Sequence, residues 1–141
     1  MKKFFAVCIL SFLFNAVWEN LHAVFYMQYK GGEITEMILL YAALADAIYV
    51  TTAIAFVRAV PLLRARPYLF LMPFFIALAI GIEWWALGTS RWAYSELMPV
   101  IPLVHIGLSP TLQLAVTGAI AYRLLFDSIN PITREVSNKA K

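Results

Sequence analysis

A single cysteine, two histidines and a low share of charged residues exclude several common kinds of protein. With Cys8 alone there is no internal disulfide, and its place inside an apolar stretch makes it a small packing residue. No glycine-rich phosphate loop, nucleophile elbow or cysteine pair occurs, so no reaction or cofactor is named by a motif. No low-complexity tract is present. Only 13% of residues are charged, too few to cover the surface of an ordinary soluble domain.

Apolar sequence takes the place of what is missing. Hydrophobic residues make up 62% of the 141 residues, and the mean hydropathy is +0.77. Lipid is therefore part of the expected solvent. A spanning helix needs about 20 mostly apolar residues, and four such stretches are expected over about 4–26, 36–57, 68–87 and 103–126. Inside a bilayer no water satisfies free N–H and C=O groups, and four segments are too few for a barrel. The expected fold is all-α: one polytopic four-helix transmembrane bundle over residues 1–126, followed by a short polar cytoplasmic tail over 127–141.

Charge placement sets the expected orientation. Lys2, Lys3, Arg58, Arg64, Arg66, Arg123, Arg134, Lys139 and Lys141 fall on one side of the four stretches, and only Lys30 and Arg91 on the other. This asymmetry puts both termini in the cytoplasm of a multi-pass protein of the cell membrane. The net charge of +3 is thus a topology signal that implies modest attraction to anionic lipid. Basic groups scattered along helix ends make no reading face, so no nucleic-acid partner is expected. Lys2 and Lys3 followed by Phe4 to Leu10 have the form of a signal peptide. The apolar pattern continues through Trp18, Leu21, Val24 and Phe25 without a small-x-small site, which favours a retained first span.

Each apolar stretch carries at least one titratable side chain: Glu19 with His22, then Asp46, Glu83 and His105. An ionisable group inside a membrane costs about 3 kcal/mol or more, so such groups mark interior sites. Helical rise puts His22, Glu83 and His105 within about 10 Å of the outer boundary, with Glu19 and Asp46 roughly 10–15 Å below it. All five thus fall in the outer half.

Helical phase supports convergence. Ser11, Asn15, Glu19, His22 and Tyr26 share one stripe of the first helix, and His105, Ser109, Gln113 and Thr117 recur every four residues in the fourth. Asn15 is expected to donate to Glu19, with His22 one turn above. The candidate acid/base residues are Glu19 and Glu83; the candidate ligand-binding residues are Asn15, His22, Asp46, Trp84, Arg91, His105 and Gln113. The alternative is that the polar groups only join helices through hydrogen bonds worth about 0.6 kcal/mol each.

Glu19 and His22 also stand at the Glu-x-x-His spacing of di-iron carboxylate bundles. A second copy is required, and Ala86 occupies its histidine position after Glu83; Glu19, His22, Asp46, Glu83 and His105 could still supply oxygen and nitrogen ligands to one ion, but no metal site is assigned. Glu19 beside Trp18 and Glu83 beside Trp84 and Trp85 suggest a faint tandem repeat of helix hairpins. Pro110 is expected to kink the fourth helix below His105. Gly31 and Gly32 suit a helix C-terminus. Gly81, Ala77 and Ala79 offer close helix approach without a clean GxxxG, leaving homo-oligomerisation or a membrane-complex partner open. From Gly88 to Pro102, a loop with Trp92 and Tyr94 is expected to lie at the outer interface, as a lid or as a plain amphipathic connector.

The segment from Glu83 to Pro102, with Gly88, Trp92, Tyr94 and the prolines Pro99 and Pro102, resembles a stretch of membrane-bound carotenoid-modifying enzymes. The likeness covers a small part of the chain and implies a long apolar, isoprenoid or otherwise lipid-like ligand. An aromatic-rich cavity, from Trp18, Trp84, Trp85, Trp92 and Tyr94, would favour the same class. The expected function is a polar, carboxylate- and histidine-lined pocket that binds or modifies a small or lipid-like ligand. The alternatives are a transport or proton-coupled subunit, and a structural subunit of a membrane complex.

Overall fold

The computed structural model describes residues 1–127. The expected tail after Asp127, with Arg134, Lys139 and Lys141, lies outside the described residues.

Five α-helices dominate: α1 (Lys2–His22), α2 (Glu36–Ala59), the short α3 (Pro61–Ala65), α4 (Pro67–Gly88) and α5 (Leu108–Tyr122). A 3-10 turn over Ala23–Phe25 extends α1, and a wide π turn over Arg123–Asp127 extends α5. Three helical segments, Lys2–Phe25, Glu36–Ala59 and Pro67–Gly88, are long and apolar enough to cross a membrane. The protein is therefore mostly helical, with the make-up of a multi-pass membrane protein.

Burial explains how these helices sit. In α4 the buried residues Leu71, Phe75, Ala79, Glu83 and Ala86 recur every three or four positions, which places them on one face. In α1 the buried stripe is Val7, Ser11, Asn15 and His22, and in α2 the small residues Ala43 and Ala47 are fully enclosed. The outward faces carry apolar side chains such as Phe5, Leu13, Val17, Leu40, Ile48 and Leu69. Polar groups inside and hydrocarbon outside suit a surface whose solvent is lipid.

The expected fourth span departs from its sequence reading in two ways. It begins at Leu108 and not near residue 103, because the preceding residues form a turn and then a short strand, Ile106–Gly107. It is also less apolar than the other three, with Ser109, Thr111, Gln113 and Thr117 among its residues. These side chains are tolerated because α5 is enclosed by α1 and α4, with Thr111, Gln113 and Thr117 all buried. Pro110 is the third residue of α5. There a helix N–H has no intrahelical partner, so the expected kink has no cause.

The loops are not wholly irregular, which corrects the all-α expectation. Strand β1 (Tyr26–Tyr29) pairs antiparallel with β2 (Trp92–Tyr94), with Tyr26 opposite Tyr94 and Tyr29 opposite Trp92. Strand β3 (Val100–Ile101) pairs with β4 (Ile106–Gly107). Each ribbon satisfies backbone groups that the loops would otherwise leave bare. Gly31 and Gly32 fall in the turn after β1 and not at a helix end, with Gly31 at φ +80° and Gly32 bridged to Tyr29.

The two ends of the bundle differ. Lys3 Nζ donates to the Leu125 carbonyl at 3.3 Å, and the Arg58 guanidinium lies 4.8 Å from the centre of the Phe126 ring. The start of α1 and the ends of α2 and α5 thus meet at one end. The apolar core, including Val7, Ile54, Leu71, Phe75 and Tyr122, occupies this half. The ribbon β1–β2 closes the other end.

Within the chain, close helix approach occurs at Gly118 of α5; Gly81 is exposed, and an added Cβ there would meet nothing within 4 Å. A Cβ at Gly118 would lie 2.5 Å from Cε2 of Phe75, a ring with no exposure. Gly118→Ala is expected to cost about 1–3 kcal/mol by overpacking. Phe75→Leu in the same chain should return part of that loss in a denaturation assay, because it removes the clashing ring atoms. Equal stability of Gly118→Ala and the native chain would show that the contact is loose.

Candidate functional site

The polar half of the bundle is organised around Gln113. From α5 its Nε2 reaches Glu19 Oε1 of α1 at 2.7 Å and Asp46 Oδ2 of α2 at 2.8 Å, with Asn15 Oδ1 at 3.2 Å. One side-chain amide therefore joins three helices and places two carboxyl groups within two hydrogen-bond lengths of each other. Behind it, Thr117 donates to Asn15 Oδ1 at 3.2 Å, and Asn15 Nδ2 donates to the Ser11 carbonyl at 2.9 Å. The expected bond from Asn15 to Glu19 is replaced by this arrangement: Asn15 supports Gln113, and Gln113 supports Glu19.

A second chain orients the imidazole. His22 Nε2 lies 3.2 Å from Glu19 Oε2, and His22 Nδ1 lies 2.9 Å from Ser109 Oγ. Trp18 Nε1, which can only donate, gives its proton to Ser109 Oγ at 3.2 Å. The Ser109 hydroxyl is then free to donate to Nδ1, which assigns the neutral ring its proton on Nε2, facing Glu19. Glu19 thus receives one donor at each oxygen.

Glu83 is held by a different set of partners. Tyr26 donates to its Oε1 at 3.3 Å and Trp92 Nε1 to its Oε2 at 3.2 Å, and the Tyr94 hydroxyl also bonds Oε2. Tyr94 in turn accepts from the Gly107 N–H at 2.9 Å. Burial pushes the phenols of Tyr26 and Tyr94 above the ordinary tyrosine range, and Glu83 adds to the effect. Both therefore remain donors at any pH the protein meets. Glu83 binds both strands of the cap to α4.

Between these groups lies a cavity of about 390 Å³. Its polar lining includes Glu19, His22, Asp46, Glu83 and Gln113, and its apolar walls include Ile38, Ala42, Ala45, Ile82 and Leu114. Tyr26 and Trp92 of the cap close one end. The exposed lining residues Tyr41, Tyr49 and Trp85 belong to α2 and α4, two helices that touch each other sparingly. The mouth consequently opens sideways between α2 and α4.

The structure brings six of the nine candidate residues together: Asn15, Glu19, His22, Asp46, Glu83 and Gln113. The other three lie outside the cavity. Trp84 is exposed and donates to the Val104 carbonyl at 2.9 Å, tying the loop before α5 to α4. Arg91 lies over the Trp85 ring, 4.1 Å from its centre, and its carbonyl accepts from the Lys30 N–H. His105 is an exposed turn residue at φ +55°, because helix α5 starts three residues later than it. Sequence reasoning placed Trp92 and Tyr94 among the aromatics of a cavity and Ser109 on an inward stripe, but missed their bonds to Glu83 and His22. Trp92 and Tyr94 stand two apart, the period of a strand, which was the signal for the ribbon. Among the described residues no group of three or more His, Cys, Asp or Glu side chains is placed to hold a metal ion.

The fold defines a class: a small, mostly helical multi-pass membrane protein with three helices long and apolar enough to span a bilayer. Comparison of the chain with protein-family models, with curated proteins and with solved structures returns no match.

Proposed function

We propose that this protein binds, and by proton exchange modifies, a lipid-like molecule that enters from the membrane between α2 and α4. The carrying observation is the cavity itself, where apolar walls and a lateral mouth meet carboxyl groups from three helices. An apolar tail would lie along Ile38, Ala42, Ala45 and Ile82, and a polar end would reach Glu19 and Asp46. Glu19, with His22 at hydrogen-bond distance, is the group placed for acid/base work. Glu83 has three of its acceptor positions taken by the cap and acts on shape.

In this reading α5 is a fourth crossing segment and both termini are cytoplasmic. The basic residues support that orientation, and so does the return of α5 to the end where Lys3 meets Leu125. The cap then faces the outside and shields the cavity from water.

The test is the lipid retained by the purified full chain. Mass spectrometry of protein extracted from its own membranes should show an isoprenoid or other lipid-like species enriched over bulk lipid. Ala45→Phe, which fills the cavity from α2, should lower the retained amount roughly tenfold or more while the fold persists. If no species is enriched, or Ala45→Phe retains as much as the native chain, the binding reading fails and the structural-subunit reading takes its place.

A further inference from the structure

The lining of the cavity has a one-sided charge. Glu19, Asp46 and Glu83 face it from α1, α2 and α4, while none of its lining residues is Lys or Arg. Lys30 and Arg91, the basic residues of the cap end, lie over the rings of Tyr29 and Trp85 and do not line it themselves. His22 is the one lining side chain able to carry positive charge, and it is committed to Glu19 and Ser109.

Hydrogen-bonding capacity is also unevenly used. A carboxylate has room for about four donors. Glu83 takes three from the cap, and Glu19 takes one from His22 and one from Gln113. Asp46 receives the shared Gln113 amide at Oδ2 and shares a hydrogen bond with the Glu19 carboxyl beside it on the cavity wall, which leaves acceptor positions open to the cavity. The ligand's donor is therefore best placed at Asp46. Around this point Tyr41 and Tyr49, five residues before and three after Asp46 on α2, bring aromatic rings to the same cavity, and aromatic faces attract cations.

We infer that the occupant is an amphiphile with a positively charged head, an amine or quaternary ammonium, seated between Asp46 and the tyrosine rings with its tail toward the membrane. This rests on the lipid-binding reading above and adds the sign of the head group. Negative groups in a site of low dielectric favour a cation over a neutral head of equal size and strongly disfavour an anion.

Three probes with one tail separate the two claims: tetradecyltrimethylammonium, tetradecanol and tetradecanoate. Each is titrated into the full chain in phosphatidylcholine nanodiscs, and quenching of tryptophan fluorescence, with Trp85 and Trp92 at the cavity, is read against protein-free discs. The cation is expected to bind at least about tenfold more tightly than the alcohol, and the carboxylate least of all. Asp46→Asn should reduce the preference of cation over alcohol while leaving alcohol binding in place. Should that variant fail to fold, Glu19→Gln serves the same comparison. Equal binding of cation and alcohol by the native chain overturns the charge assignment and leaves the lipid-binding reading standing. Binding of none of the three overturns both.

Discussion

Gln113→Leu is expected to destabilise the protein by about 3–5 kcal/mol, because it strands two carboxyl groups that share one amide donor inside the bundle. Glu19 keeps His22, and Asp46 loses its 2.8 Å bond from the Gln113 amide. Leucine has nearly the volume of glutamine, so packing around α5 is retained and the loss reports on hydrogen bonding. Chemical unfolding in lipid bicelles, followed by tryptophan fluorescence, is the measurement. The asymmetry of hydrogen-bond energetics supplies a control: removing one partner costs more than removing both. Asp46→Leu combined with Gln113→Leu should therefore be more stable than Gln113→Leu alone. If Gln113→Leu unfolds at the native denaturant concentration, the junction of three helices is not held by this amide.

Glu83→Ala is expected to release the cap. Tyr26, Trp92 and Tyr94 each lose their acceptor, and the ribbon β1–β2 loses its side-chain attachment to α4. The cost is about 2–4 kcal/mol, and it should fall on local opening more than on global unfolding. Amide hydrogen exchange over residues 26–29 and 92–94 should accelerate about a hundredfold or more, with the apolar half around Phe75 and Ile54 little changed. Glu83→Gln keeps one acceptor oxygen but turns an amide N–H toward other donors, so its effect should be intermediate. Exchange in the cap that stays at the native rate would mean that the strand pairing alone holds it closed.

Several parts of this site were legible in the sequence because a helix makes spacing equivalent to direction. Asn15, Glu19 and His22 share a face at intervals of four and three, and Gln113 and Thr117 share another. Two polar seams on otherwise apolar helices have to meet in the interior when lipid is outside. Glu83 and Asp46 were singled out for another reason, as ionisable groups inside apolar stretches. Gln113 as the hub was not, since which amide reaches which carboxylate depends on helix rotation over fractions of a turn.

Other parts were misplaced for identifiable reasons. His105 was assigned to a helix face, but α5 begins only at Leu108, so helical phase did not apply to it. Gly118, which the sequence reading did not single out, makes a close approach to Phe75. A glycine's neighbour across a helix interface is a property of two segments. Trp92 and Tyr94 read as aromatics of a membrane interface or of a cavity, but composition alone did not show that they bond Glu83.

By itself the sequence determined the solvent of this protein, the existence and extent of α1, α2 and α4, and the polar face of each. These are local quantities, set by runs of apolar residues and a period of 3.6. Only the tertiary structure decided that β1 and β2, about sixty residues apart, form one cap, that Glu83 is its anchor, and that the cavity opens between α2 and α4. Strand pairing, the crossing of α4 and α5 at Gly118 and the meeting of Glu19 with Asp46 are contacts between distant segments. Their energy depends on shape complementarity that no single stretch of sequence encodes.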